Sequence, residues 1–568
     1  MRLWFRRSDP AVAAPQLGRP VHRVRLSGPR VFLTGLAFAA VYGLIILKLV
    51  KLGLDADDHI AALDMARTEV SAQRPDILDR NGEVLATDIK TSSLFAEPKH
   101  VLGVSETIDA LATVLPDMRD PQIRQRLSTK AGFVWLKREI TPMQRARIYR
   151  LGLPGVGFID ENKRLYPVAN LTSHIIGLVN VDNQGISGIE KYLDDKLSLT
   201  EMNKIGVLPP DGLLPQRLSI DLRVQHVVRD EVNEAKKRYR AVAGMGIVLD
   251  VHTGEVLAMV SLPDFDPAQP KEALDKENMN RDTAGVFEMG SVFKTFNSAM
   301  ALDSGKVSLS DIFETRGGLQ IGHQHISEFH GKGRPLTVPE IFIYSSNTGS
   351  ARMALKAGEE TQHAFFEKIG FFKKLDTELP EEAVPMFPKR LSEISTATMA
   401  FGHGISVTPM HTAIAGAAMI NGGMLMNPTF FPRSREEAMA TAVRVIRPET
   451  SDKLRYLFRL NCLPPGSGTR AEVEGYRVGG KTGTAEKVAA GRYEHDKRRN
   501  SFLAAFPMED PQYLVLVVLD EPKPEKDGSS AVAGLNAAPT VGNIIRRIAP
   551  MLGVMPKFDT PPITAASN

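Results

Sequence analysis

The stretch Gly290-Ser291-Val292-Phe293-Lys294-Thr295-Phe296-Asn297-Ser298-Ala299-Met300 decides the reading of this 568-residue chain. Gly290 breaks the preceding segment. Val292, Phe293, Phe296, Ala299 and Met300 then form a broad apolar face at helical spacing. A serine at the helix start and a lysine three residues on stand one turn apart on one face. Nucleophilic catalysis by a Ser–Lys pair needs that arrangement, a hydroxyl with a base within hydrogen-bond reach. The helix start also offers unpaired N–H groups to a developing oxyanion. In isolation such a pair usually marks a capping serine and a solvated lysine, so the reading depends on what lies further along the chain.

Two further motifs follow. Ser345-Ser346-Asn347 comes after the apolar Ile341-Phe342-Ile343-Tyr344. Gly479-Gly480-Lys481-Thr482-Gly483-Thr484 comes after Tyr476-Arg477-Val478, and glycines around a Lys-Thr suit an edge strand that a substrate backbone can approach closely. The order S-x-x-K, S-x-N, K-T-G is that of penicillin-interacting serine enzymes. Around these motifs the texture is consistent. Gln225 to Tyr239 reads as an amphipathic helix, and Met245–Asp250 with Glu255–Val260 as a hairpin turning at His252-Thr253-Gly254. Ser501–Phe506 and Tyr513–Leu519 read as two more strands around Asp510-Pro511. Thr408 is an N-cap with Pro409 at N1, and Asn421-Gly422 ends that helix. Strands at both ends with helices between predict one sheet completed by both ends of the domain.

Upstream, Val31 to Val50 is interrupted only by Lys48 and is long enough to span ~30 Å of hydrocarbon. Seven arginines and one acid, Asp9, precede it, while the remainder is close to neutral although the formal net charge is +4. The positive-inside rule then predicts a cytoplasmic amino terminus and an exported body, and the near-neutral body argues against nucleic-acid binding. Between the anchor and residue 217 the chain reads as polar with short strand-like runs. One is Ile77-Leu78, turning at Asp79-Arg80-Asn81-Gly82 into Glu83-Val84-Leu85-Ala86. Residues 199–217 read as a linker. The expected organisation is a basic tail (1–30), a membrane helix (31–51), a pedestal (52–217), a catalytic domain (218–555) and a loose tail (556–568).

On these residues the chain resembles the class B penicillin-binding proteins, membrane-anchored peptidoglycan D,D-transpeptidases, and most closely their division-specific FtsI type. Further matches are Arg80-Asn81-Gly82, Arg164-Leu165-Tyr166-Pro167, His174-Ile175-Ile176-Gly177, Gly185-Ile186-Ser187-Gly188-Ile189-Glu190, Asp250 to Met259, Val407-Thr408-Pro409 and Asn421-Gly422-Gly423. Pro75 and Met289 depart from the pattern, where the family commonly has glycine and proline. The resemblance implies an α+β fold: one transmembrane helix, an elongated mixed pedestal of the dimerisation type, and a transpeptidase domain with a five-stranded antiparallel sheet flanked by helices. It implies Ser291 as nucleophile, Lys294 as base, Ser345 as proton relay and Asn347 as a holder of Lys294 and the substrate amide. Lys481 supplies positive potential, Thr482, Gly483 and Thr484 bind the substrate's terminal carboxylate, and the N–H groups of Ser291 and Thr484 form the oxyanion hole. Neither metal nor cofactor is required. Expected partners are stem peptides ending in D-Ala-D-Ala, β-lactams, an FtsW-type glycan polymerase and other division proteins.

Rival readings remain. An elongation-specific transpeptidase carries the same motifs; a division scaffold would make the catalytic site secondary. A β-lactamase is disfavoured by anchor and pedestal, and a bifunctional class A protein by the ~170 residues between anchor and catalytic domain, which lack an E-D-x-x-F stretch. His323, His325 and His330 invite a zinc reading, but no suitably spaced acid is near. Glu494 to Arg499 reads as a solvated loop, with a mobile lip of the active-site groove as the alternative. Cys462, the lone cysteine, reads as a packed thiol.

Overall fold

The computed structural model describes residues 32–51, 74–199, 213–390, 392–489, 492–526 and 530–558. The basic tail, most of the expected linker and the last ten residues lie outside them. Helix α1 (Phe32–Lys51) is 20 residues long and none of it is buried against protein. At 1.5 Å per residue it matches the ~30 Å thickness of a bilayer's hydrocarbon core.

The pedestal is built on a sheet whose strands are longer than the sequence suggested. Strand β1 (Ile77–Leu78) turns at the expected Asn-Gly, where Gly82 has φ +94° and the Asp79 carboxylate accepts from the backbone N–H groups of Asn81 and Glu83. The chain returns in β2 (Val84–Ala96), 13 residues long, which pairs antiparallel with both β3 (Val134–Ile140) and β4 (Val156–Leu165). Leu94, Leu111, Leu127, Leu136 and Ile140 form its own small core. The expected linker does not run loose to its end: Gln216–Arg217 forms β5, parallel to β1.

Three motifs distant in sequence meet in the pedestal as one buried ionic cluster. Arg74 donates from Nε to Glu190 at 2.7 Å and also holds Asp194, while Arg164 donates to the other Glu190 oxygen at 2.6 Å and to Asp88 at 3.0 Å. The Arg164 guanidinium also reaches the carbonyl of Pro75, so this departure keeps its backbone contact. Each charge has an opposite partner and a hydrogen bond, the condition under which ions are tolerated in a protein interior.

Helix α2 (Leu222–Arg238) leads into β6 (Ala243–Asp250) and β7 (Val256–Leu262). Late in the chain come β8 (Gly479–Ala489), β9 (Arg492–Phe506) and β10 (Tyr513–Asp520). The five form one antiparallel sheet in the order β8-β9-β10-β6-β7, so both ends of the domain complete it and β8 is an edge. Apolar residues run almost without interruption through β6, β7 and β10 because both faces are covered. Helix α2 and the final helix, Ala537–Met551, cover one face. On the other lies the large helical core, through which runs Pro409–Ile420, buried at every residue and capped by Thr408, whose Oγ1 accepts from the His411 N–H. The charged run 494–499 is not a loop: it lies within β9.

Candidate active site

Ser291 sits in a single 3-10 turn, Gly290–Val292, that feeds helix α3 (Phe293–Asp303). Gly290 has φ +55°, and a Cβ there would stand 2.6 Å from the carbonyl oxygen of Thr484 on β8. Gly402, with φ +83°, would place a Cβ 2.3 Å from the Gly290 carbonyl oxygen. Three backbones therefore touch with no side chain between them, and this contact fixes the nucleophile turn against the edge strand. Met289 has φ −92°, outside the range of the proline common at this position, and its side chain is buried.

Lys294 lies in the first turn of α3, where a long side chain points back over the helix start. Its Nζ donates to Ser291 Oγ at 3.0 Å, Asn347 Oδ1 at 2.8 Å and Ser345 Oγ at 3.1 Å, and also to the Ser345 carbonyl. Ser345 occupies the bend between the helices Val338–Ile343 and Asn347–Ala357 with φ +56°, left-handed backbone that a non-glycine residue adopts at a cost of ~1–3 kcal/mol. That conformation presents both its carbonyl and its hydroxyl to Lys294. Burial, then the charge of Lys481, holds the Lys294 ammonium well below the ordinary lysine range, with Glu328 opposing.

Lys481 is fully buried on β8, and burial pulls it down to about 7. Its Nζ donates to Ser345 Oγ at 3.1 Å, so the two lysines share one hydroxyl. Thr482 Oγ1 lies 2.7 Å from Ser467 Oγ, and Thr484 Oγ1 accepts from the Ala533 N–H at 3.3 Å. Gly483 is required by space, since a Cβ would come within 2.5 Å of Ser501 Oγ and of the Met289 carbonyl. All eight residues singled out in the sequence thus converge on or beside one cleft of about 600 Å³, whose walls include Ser291, Ser345, Asn347, Thr482 and Thr484.

Two residues of the site escaped the sequence reading. The Glu328 carboxylate accepts from Ser346 Oγ at 2.6 Å and from the N–H groups of Asn347 and Thr348 at 3.1 and 2.9 Å, at the positive end of a helix dipole. Ser467 is held by Asn461, whose Oδ1 accepts from both its N–H and its hydroxyl, while Asn461 Nδ2 donates to the Gly480 carbonyl on β8. Neither carries a signature in the sequence, because each reaches its motif only through tertiary folding. Among the described residues, no group of three His, Cys, Asp or Glu side chains is placed to hold a metal ion. His325 bonds to the Gly317 carbonyl and His330 meets the Phe329 ring edge-on. Cys462 is buried, and its thiol is pushed up by that burial.

Comparison with known proteins places this geometry. Residues 244–545 match the family model for the penicillin-binding protein transpeptidase domain, and residues 69–204 that for the penicillin-binding protein dimerisation domain. A probable peptidoglycan D,D-transpeptidase FtsI of Caulobacter vibrioides is 36% identical over 503 residues, 86% of this chain and 83% of that protein. The peptidoglycan D,D-transpeptidase FtsI of Escherichia coli is 30% identical over 509 residues, 84% of each chain. The solved transpeptidase domain of penicillin-binding protein 3 from Burkholderia pseudomallei is 32% identical with a TM-score of 0.54, covering 60% of this chain and 98% of that one.

Proposed function

The chain belongs to the class B penicillin-binding proteins of the FtsI type, division-type peptidoglycan D,D-transpeptidases that also bind β-lactams, and on that premise we propose a role for each residue of the cleft. Lys294, kept neutral, takes the proton of Ser291 as Oγ attacks the penultimate D-Ala carbonyl of a stem peptide. Ser345, between the two lysines, passes that proton to the departing D-Ala. Asn347 fixes the Lys294 amine through its Oδ1 and offers its amide to the substrate. Lys481 supplies positive potential, and Thr482 and Thr484, on either side of the close-packed Gly483, receive the terminal carboxylate. The N–H groups of Ser291 and Thr484 form the oxyanion hole, where loss of one donor costs ~100–1,000-fold in rate. An amine of a neighbouring stem peptide then takes the acyl group and completes the cross-link.

The observation that carries this reading is the contact of one buried, pKa-lowered amine with Ser291 Oγ, Ser345 Oγ and Asn347 Oδ1 together. Around it we place the pedestal at 52–217 and the catalytic domain at 218–555. The body lies in the periplasm and the amino terminus in the cytoplasm, supported by the membrane-length α1 and the arginines before it. An FtsW-type polymerase is the expected partner, met through the span and pedestal. Complementation separates enzyme from scaffold. In cells depleted of their own division transpeptidase, Ser291→Ala should filament like the empty vector while present at wild-type level; normal division would make the cleft secondary.

A further inference from the structure

Beyond Thr484 the sheet wall of the cleft continues into charged residues that the acylation machinery leaves unused. Glu486 follows Thr482 and Thr484 at strand spacing, so the three share a face, and all three line the cleft. Arg498 stands directly opposite Glu486 across the β8–β9 pair and also lines it. The register shifts immediately after Glu486, a bulge of the kind that ends a regular wall beside an active site. The Arg498 guanidinium lies 5.8 Å from the ring centre of Phe329, which also lines the cleft. His403 lines the same cleft as these groups and Ser291. Its loop is clamped to the nucleophile turn twice, by the Gly402–Gly290 contact and by the Gly404 N–H, which donates to Glu288 at 2.8 Å. Burial lowers its pKa, with Glu486 opposing and Lys294, when protonated, adding a smaller push the same way as burial, so the imidazole is neutral at pH 7 and able to accept a proton.

We propose that Glu486, Arg498 and His403 form the subsite of the acceptor strand, taking an amine whose own carbon also carries a carboxylate. This inference rests on Ser291 being the acylated residue. The ammonium is held by Glu486 and the carboxylate by Arg498, a match that a lysine side chain, with an ammonium alone, cannot complete. His403 removes one proton from the ammonium and releases it to water. The freed lone pair forms the C–N bond to the acyl carbonyl, the C–Oγ bond of the Ser291 ester breaks, and the second amine proton passes through Lys294 to Oγ. An amide and free Ser291 result.

The test uses the full chain in detergent with an activated D-Ala ester donor and two acceptor tripeptides, identical except for diaminopimelate or lysine at the third position. The ratio of cross-linked to hydrolysed product is read by mass spectrometry. It is set after acylation, so a change in donor binding does not move it. The wild-type ratio should favour diaminopimelate by about tenfold, the size of one charge-assisted contact. Arg498→Gln should erase that preference, and Glu486→Gln should lower the ratio for both acceptors. His403→Asn should lower it for both and make it climb with pH, as the amine then loses its proton to water alone. Equal use of the two acceptors by the wild type, or a preference that survives Arg498→Gln, would overturn the proposal. Failure of Ser291 itself to become acylated would instead overturn the reading beneath it.

Discussion

Two buried ammonium groups around the Ser345 hydroxyl, each 3.1 Å from it, are the electrostatic centre of the site. In a water-poor interior two such cations repel strongly, and one of them yields its proton. Lys294 bears both burial and the Lys481 charge, so it is the one that yields, and its neutral amine is what a hydroxyl nucleophile needs. The sign of the pH dependence follows. Acylation by a penicillin is lost at low pH, where Lys294 takes up its proton. It falls again as pH rises through about 7, where Lys481 gives up the charge that draws in the carboxylate. Lys481→Arg should flatten the alkaline limb, since a guanidinium does not titrate there. Lys294→Arg keeps a charge but provides no base, so its second-order acylation constant should drop ~100–10,000-fold. Stopped-flow acylation across pH 5 to 9 checks both; a Lys294→Arg enzyme acylated at the wild-type rate would remove Lys294 from the proton path.

The elements carrying the site were legible to different degrees. The helix Pro409–Ile420 was visible through its Thr-Pro start and Asn-Gly stop, and the edge position of β8 through its glycines. Strand β2 was legible only at its start, Val84-Leu85-Ala86, because its middle lacks apolar alternation: the buried Thr91 and Ser92 are satisfied by hydroxyl bonds to the Ile140 carbonyl and to Asp160. The run 494–499 misled for a related reason, since a strand that carries mostly charged residues shows no period-two apolar pattern. In the site, the three motifs supplied the eight candidate residues that the fold brings together, while the left-handed Ser345, the capping Glu328 and the supporting Ser467 needed the fold. The backbone contact of Gly402 with Gly290 is equally silent in sequence and gives a test at this scale. Gly402→Ala would force a Cβ into that contact at positive φ, at a cost of ~1–3 kcal/mol. The expected outcome is a lower melting temperature with a slower acylation rate, because the nucleophile turn must move off β8. An unchanged rate would show that the turn is held by other contacts.

At the scale of the molecule, pedestal and catalytic domain are joined by backbone and by charge. The Glu381 carboxylate, from the catalytic domain, accepts from the Gly188 N–H at 3.1 Å, two residues before the Glu190 that organises the pedestal cluster. Glu190→Ala would leave Arg74 and Arg164 without their shared counterion, a loss of ~3–5 kcal/mol for a broken buried pair. Calorimetry should show the pedestal melting earlier; an unaltered melt would mean that Asp88 and Asp194 suffice. The chemistry nevertheless turns on one serine lining one cleft, and its most direct test is the intact mass of the protein after exposure to a penicillin, followed by peptide mapping. A long-lived adduct of one penicillin is expected on the peptide containing Ser291, and none in Ser291→Ala. No adduct on the folded protein, an adduct on another residue, or one lost within seconds as a β-lactamase would lose it, would contradict it.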